Sequence, residues 1–376
     1  MPRRRPSIRQ RASTINNPPQ LSDTSVGTPE CLEMRGSFAS ASTKLGHRFK
    51  PLKTLPTEFS SVFRNEFFVP QKPVVFPRGL FRSIPATSRW FVNNDHGSLP
   101  GARLSYEYLN QYSDCHVPLE LTSQTTAPER NEVVTSQNEG TFQRSYAPLS
   151  LFLNWTRSVQ ESSENENRSS NRSTSLYLAQ CQLLDLPATL CDDLPTPSIV
   201  TTAGKGDVYD TNIWIGLAPT YTPLHRDPNP NLFVQLAGSK HVRLLSPESG
   251  LRIFSRIREQ LGKNGGKSHA AYRGEDMMKG PERELLDRAI WEEDPDTECQ
   301  RNGEQSRVEE CEEGYEAILN AGDGLFIPLG WWHSIKGVGK GITGSVSISR
   351  SLFRSWTLSL EPCSWVVLVA DIFNLF

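Results

Sequence analysis

Long apolar runs are the scarcest feature of this sequence. The longest, "WVVLVADIFNLF" from Trp365 to Phe376, is too short to cross a bilayer and carries Asp371. No membrane span is therefore expected, and the start lacks the apolar core of a secretion signal. An excess of one charge is missing too. Forty basic residues face 42 acidic ones at a pI near 6.4, so no global field favours nucleic acid or an anionic membrane. The seven cysteines (Cys31, Cys115, Cys181, Cys191, Cys299, Cys311 and Cys363) are scattered, odd in number and form no CxxC pair. That pattern argues against a zinc site and against a disulfide framework. The setting expected is reducing and intracellular, nuclear or cytoplasmic.

What is present is enough for a core, with 36% hydrophobic residues in a chain of 376. The opening "MPRRRPSIRQRAS" holds five arginines, which reads as a solvated basic tail, a nuclear signal or an organellar presequence. Residues 1–60 are rich in Ser, Thr, Pro and Asn without a sustained apolar period, so a disordered tail is expected there. One folded unit is expected over 61–352, interrupted by polar insertions near 159–175 and 250–314, with a separate tail at 353–376.

Within that unit "FFVPQKPVVF" (Phe67 to Phe76) reads as an edge strand with prolines. "RLSYEYLNQY" has helical spacing, "HVPLEL" is extended, and "APLSLFLNWTRS" is helical again. From Ser175 onward short apolar segments bounded by turn residues recur: "SLYLAQCQLL", "DVYDTNIWIGLAP", "AILNAGDGLFIPLGWWHSI" and "GITGSVSIS". Such a series predicts an all-β sandwich or barrel, with a helix at "PERELLDRAIWEE" inside the second insertion.

The segment "YTPLHRDPNPNLFVQLAGSKHVRLLSP" (Tyr221 to Pro247) places ionisable groups in a strand-like, apolar setting. Such groups are costly to bury unless paired or metal-bound. His225 and Asp227 are one residue apart, so in an extended segment both side chains leave the same face. His333, after the turn in "IPLGWWHSI", is a candidate third ligand. Two histidines and a carboxylate on one side of an ion leave the other side open, the arrangement of non-haem Fe(II) oxygenases. Lys240, after "LAGS" in an apolar hairpin, needs an anionic partner, and a dicarboxylate would supply one. Thr222 and Asn231 flank the His-x-Asp with a hydroxyl and an amide. Duller readings stand beside these: a hydrogen-bonded pair at a sheet edge, a packed core histidine and a solvated turn lysine.

Five ordered blocks carry a resemblance: "FFVPQKPVVF", "VPLEL", "YLAQCQLLDLPATLCDDL", "NIWIGLAPTYTPLHRDPNPNLFVQLAGSKHVRLLSP" and "GDGLFIPLGWWHSIKG". With them the chain resembles the JmjC-domain, cupin-type 2-oxoglutarate oxygenases, above all the small JmjC-only branch that holds asparaginyl and arginyl hydroxylases. The resemblance implies an all-β core with flanking helices, folded as a double-stranded β-helix, the cupin-like jelly roll. It implies Fe(II) on His225, Asp227 and His333. It further implies 2-oxoglutarate held by Lys240, Thr222, Tyr177 and Asn231, and a substrate side chain facing Trp214 and Glu120. The reaction implied is hydroxylation of a protein side chain, or demethylation of N-methyl-lysine, with succinate and CO2 as co-products.

Two departures from the family stand out. The charged stretch 250–314 makes the gap from Asp227 to His333 long, and "RSLFRSWTLSLEPCSWVVLVADIFNLF" lacks the family's usual ending, so nothing about dimerisation through that region carries over. Two other readings remain open at this point: a jelly roll that binds without catalysing, and an RNA-modifying oxygenase, for which no aromatic-basic stripe is visible.

Overall fold

The computed structural model describes residues 47–57, 59–94, 101–123, 141–164, 174–203, 208–263, 277–278, 280–292 and 312–350. The basic tail up to residue 46, the core of the 159–175 insertion and the ending from 351 lie outside the described residues. Fifteen strands are described: β1 (His47–Pro51), β2 (Val74–Val75), β3 (Phe91–Asn94), β4 (Gly101–Leu104), β5 (His116–Ser123), β6 (Thr141–Pro148), β7 (Thr174–Gln182), β8 (Val208–Leu217), β9 (Tyr221–Arg226), β10 (Asn231–Ala237), β11 (Ser239–Leu245), β12 (Glu312–Asn320), β13 (Gly324–Ile327), β14 (Trp332–Val338) and β15 (Lys340–Arg350). The helices are α1 (Ser60–Val62), α2 (Ala86–Arg89), α3 (Tyr106–Leu109), α4 (Leu149–Glu164), α5 (Ala188–Asp192), α6 (Ser198–Ala203), α7 (Pro247–Gln260) and α8 (Pro281–Trp291).

From β8 onward the chain passes back and forth between two sheets, with only β11 and β12 following one another in the same sheet. β8, β10, β13 and β15 lie in the larger sheet in the order β13-β10-β15-β8, and β9, β11, β12 and β14 lie in the smaller one as β12-β11-β14-β9. Consecutive strands that switch sheets wind a double-stranded β-helix, the jelly roll expected from the sequence. Each switch needs a tight corner. The corner between β10 and β11 is made by Gly238 at φ +64°, where an added Cβ would stand 2.5 Å from the Ile342 carbonyl oxygen, so only glycine fits. The "LAGSK" segment is thus a corner between sheets and not the hairpin the sequence suggested, because β10 pairs with β13 and β15 whereas β11 pairs with β12 and β14.

Alternation sets what faces inward. Val242 and Leu244 meet Phe233, Leu319, Leu325 and Ile335 between the sheets and fill the barrel core. Leu224, Leu245 and Trp332 point outward and are covered by Ile253, Phe254 and Ile257 of α7 and by Leu286 and Ile290 of α8. α7 is capped by Ser246, whose hydroxyl accepts from the Ser249 amide at 3.1 Å, with Pro247 as its first residue. The stretch 250–314 therefore contributes a packed helix at its start, and the helix expected at 281–293 is found at Pro281–Trp291. On the far side of the larger sheet, α4 buries Leu149, Phe152, Leu153 and Thr156, an i, i+3, i+4, i+7 stripe. It continues to Glu164, six residues into the segment read as an insertion.

The "FFVPQKPVVF" segment is mostly not extended. Phe63–Phe68 forms a wide helical turn that drives Phe63 and Phe67 into the core, and only Val74 and Val75 pair, with β13. "RLSYEYLNQY" is helical from Tyr106 only, since Arg103 and Leu104 end β4.

Asp193 ties this outer layer together. Fully buried, it accepts from the Trp90 indole at 2.8 Å, the Tyr108 hydroxyl at 2.6 Å and the Arg89 guanidinium at 2.6 Å. Asp193→Ala strands the buried Trp90 donor and the Tyr108 hydroxyl, a loss of about 3 kcal/mol in chemical unfolding. An unfolding midpoint equal to the wild type's would show that the network carries no stability.

Candidate metal centre

His225 is the penultimate residue of β9, Asp227 follows directly after its end, and His333 is the second residue of β14. β9 and β14 pair antiparallel with His225 directly opposite His333, which brings two distant parts of the chain to one point. The imidazole centroids are 4.2 Å apart. The Asp227 carboxylate stands 3.9 Å from His225 Nε2 and 3.7 Å from His333 Nε2. One ligand atom from each of the three lies within 4.8 Å of the others, and this is the only such His/Cys/Asp/Glu group among the described residues.

The protons decide what the cluster can hold. His225 Nδ1 lies 2.8 Å from the Pro223 carbonyl and His333 Nδ1 lies 3.2 Å from that of Trp331. A carbonyl only accepts, so each Nδ1 carries the proton and each Nε2 presents a lone pair to the carboxylate. Burial, joined by the neighbouring His225, lowers the His333 pKa to about 4 against the opposing pull of Asp227, so this ring is neutral near pH 7. Three acceptors thus face one another with no hydrogen between them, a set that a divalent cation satisfies. Asn231 Nδ2 donates to the Asp227 carboxylate at 3.2 Å and orients it.

The strands behind are fixed from outside the barrel. Trp332, between Trp331 and His333, packs where Gly250 has no side chain; a Cβ there would stand 2.1 Å from the indole. Arg226, between His225 and Asp227, lies over the Trp332 ring at 5.7 Å. Trp291 of α8 donates to Ser334 Oγ at 2.9 Å, and Ser334 donates to the Thr222 carbonyl at 2.9 Å.

The cluster opens into a cavity of about 620 Å³. Of the residues expected from the sequence, Glu120, Tyr177, Trp214, Thr222, His225, Asp227 and Asn231 line it. His333 and Lys240 stand behind the lining, one joined to it through Asp227 and the other through Tyr177. Lys240 is 3% exposed and shares the inward face of β11 with Val242 and Leu244. Its ammonium donates to Ser345 Oγ at 2.7 Å and to the Tyr177 hydroxyl at 3.4 Å, and no carboxylate pairs with it among the described residues. Burial pulls its pKa down to about 7. Burial, helped by the charge of Glu120, keeps the Tyr177 phenol protonated far above its ordinary range. Glu120 sits opposite Tyr177 on one side and Arg144 on the other; burial raises its pKa and Arg144 opposes the rise.

Tyr177 reaches Lys240 because its neighbour across the ladder is Gly216, where a Cβ would stand 2.3 Å from the Tyr177 ring. Gly216→Val is expected to turn the ring away and weaken anion binding at Lys240 at least tenfold in calorimetry. Unchanged affinity would detach Tyr177 from that site.

Several lining residues were missed in the sequence. Asp210 and Asn212 precede Trp214 at two-residue spacing on β8, and Ser347 and Ser349 oppose them on β15. Alternation in "DTNIW" and "SVSIS" carries that signal. Tyr221, Arg226 and the Met277–Met278 pair also line the cavity, the last from within the stretch read as an insertion.

Fold and site together define a jelly roll with a His/Asp/His cluster at the mouth of a polar cavity. A family model described as a cupin-like domain matches residues 60–350, and the chain belongs to that family. It is similar to Lysine-specific demethylase 8 of Danio rerio, 27% identical over 277 residues, which cover 73% of this chain and 52% of that protein. It is 26% identical over 211 residues to JmjC domain-containing protein D of Dictyostelium discoideum, 54% of this chain and 39% of that one. With Lysine-specific demethylase JMJ30 of Arabidopsis thaliana it shares 27% identity over 188 residues, 50% of this chain and 35% of the relative. The chain thus spans about half the length of the Danio rerio relative. No helix among the described residues is long and apolar enough to cross a membrane.

Proposed function

We propose that the chain is an Fe(II)- and 2-oxoglutarate-dependent oxygenase that oxidises a cationic side chain of a protein substrate. The observation that carries this reading is the pairing of two unmet demands in one barrel. Three acceptors converge with no donor between them, and a buried ammonium, over the Phe233 ring, has hydroxyl partners but no carboxylate among the described residues.

His225, Asp227 and His333 would hold the iron, with Asn231 orienting the aspartate. Lys240 and Tyr177 would bind the distal carboxylate of 2-oxoglutarate by charge-assisted hydrogen bonds, with Thr222 beside them. Bound together, Fe(II), 2-oxoglutarate and dioxygen supply the oxidation of a C–H bond, with succinate and CO2 as co-products. The chain's own task is to position the target carbon and keep water out. Trp214 gives a flat face and Glu120 an acidic group on the cavity wall, a combination that suits an arginine or lysine side chain. The demethylase names of the relatives favour a methylated lysine, while the Glu120 carboxylate favours the guanidinium fork of arginine.

The test is succinate release from 2-oxoglutarate by the Fe(II)-loaded protein, followed by mass spectrometry of partners trapped by an inactive variant. A gain of one oxygen identifies hydroxylation and loss of a methyl identifies demethylation. Metal binding without 2-oxoglutarate consumption under any substrate would instead mark a non-catalytic binding module.

A further inference from the structure

Successive residues of a strand face opposite ways, yet Thr222 and His225, three residues apart on β9, both line the polar cavity. A regular strand would send one of them outward. The pairing with β14 shows how this is avoided: His225 stands opposite His333 and Thr222 opposite Ile335, so Pro223 and Leu224 together face the single Ser334. Two residues against one make a β-bulge, and the extra residue returns both side chains to the inner face. Leu224 meanwhile turns outward to pack with Ile253 of α7 and Leu286 of α8.

The bulge also orients a metal ligand, because the carbonyl that receives the His225 Nδ1 proton at 2.8 Å belongs to Pro223. It is held from outside the barrel. Ser334, fully buried, donates to the Thr222 carbonyl at 2.9 Å, and its oxygen accepts from the Trp291 indole at 2.9 Å. An indole nitrogen only donates and a hydroxyl carries one hydrogen, so donation runs one way, from Trp291 through Ser334 to Thr222. Trp291 is itself fixed at the end of α8. Lys336 and Arg243 lie 4.5 and 4.8 Å from its ring centroid, and Arg243 Nη1 donates to the Ile290 carbonyl at 2.7 Å.

We propose that Trp291 is a positioning residue for the metal centre: through Ser334 it fixes the β9 bulge that aims His225 at the ion and Thr222 into the cavity. The inference rests on the metal-binding part of the proposed function. It gives the charged stretch 250–314 a task in the site, since α8 supplies the donor at the outer end of the relay.

The experiment measures Mn(II) affinity by calorimetry on the metal-free protein, with chemical unfolding alongside, for wild type, Trp291→Phe, Ser334→Ala and the double variant. Trp291→Phe keeps an aromatic ring beside Arg243 and Lys336 but removes the indole N–H. It is expected to lower Mn(II) affinity about tenfold, as loss of a group that orients metal ligands does. Ser334→Ala lowers it at least as much, and the double variant no further than Ser334→Ala alone, because the two residues act in one relay. Leu286→Val trims the buried face of α8 and leaves the N–H in place, so it is expected to lower the unfolding midpoint with Mn(II) affinity unchanged. Wild-type affinity in Trp291→Phe, losses that add in the double variant, or a loss in Leu286→Val as large as that in Trp291→Phe overturns the proposal. A wild type that binds no Mn(II) overturns the metal centre itself, and this role of Trp291 with it.

Discussion

His225→Ala is expected to lower the affinity for Fe(II) or Mn(II) at least a hundredfold and to abolish 2-oxoglutarate turnover, with the fold intact. His225 Nε2 faces the Asp227 carboxylate with no hydrogen between them. Its removal deletes one of three donors and opens the shared point to water. Asn231→Ala tests the same geometry more gently. It removes only the group that orients Asp227, and changes of that kind cost roughly 10–100-fold in metal affinity or activity. The order expected in metal titrations is wild type, then Asn231→Ala, then His225→Ala. Equal metal binding by wild type and His225→Ala would place the ion elsewhere.

Lys240→Met is expected to weaken 2-oxoglutarate binding about a hundredfold, the loss of one charge-assisted hydrogen bond of about 3 kcal/mol. Folding should not suffer, since methionine matches the stem and no carboxylate is left unpaired. The pH dependence follows from the depressed pKa. At pH 6 the ammonium is already charged, and the dicarboxylate meets its partner. Above about pH 7 the free protein has lost that proton and must take one up on binding, so affinity falls by about tenfold per pH unit. Stability without ligand moves the opposite way. Between about 7 and the ordinary lysine value of 10.5 the unfolded chain binds the proton that the folded one lacks, so stability rises with pH in that window. Lys240→Met removes both slopes, and calorimetry in buffers of different ionisation enthalpy reads the proton uptake directly. Binding that is flat across this range, or equal in the variant, would separate Lys240 from 2-oxoglutarate.

The parts of the site legible in the sequence are those where chemistry conflicts with pattern. A histidine, an aspartate and a lysine stand out in apolar segments because burial penalises them; the first two converge with His333, and the lysine is joined to the same cavity through Tyr177. The jelly roll was legible for a related reason: short β-branched runs punctuated by turn residues leave few other folds open. What escaped notice had no conflict to betray it. Ser345, Ser347 and Ser349 look like ordinary strand residues, yet the first is the partner of Lys240 and the other two line the cavity. Gly216 looks like a flaw in β8 until Tyr177 is seen to lie across it. α7 was hidden because its apolar stripe of Ile253, Phe254 and Ile257 is diluted by charged residues that face water. Phe67–Phe76 misled because aromatic and β-branched residues suit a strand, while here tertiary packing of Phe63 and Phe67 outweighs that preference.

The central claim is tested most directly by anaerobic titration of the metal-free protein with Fe(II), then with 2-oxoglutarate, followed in the visible spectrum. One Fe(II) per chain and a charge-transfer band that grows only when 2-oxoglutarate is added, absent in His225→Ala and weakened in Lys240→Met, is the result expected. Saturation by Fe(II) and 2-oxoglutarate with no such band, or a band undiminished in His225→Ala, would contradict it.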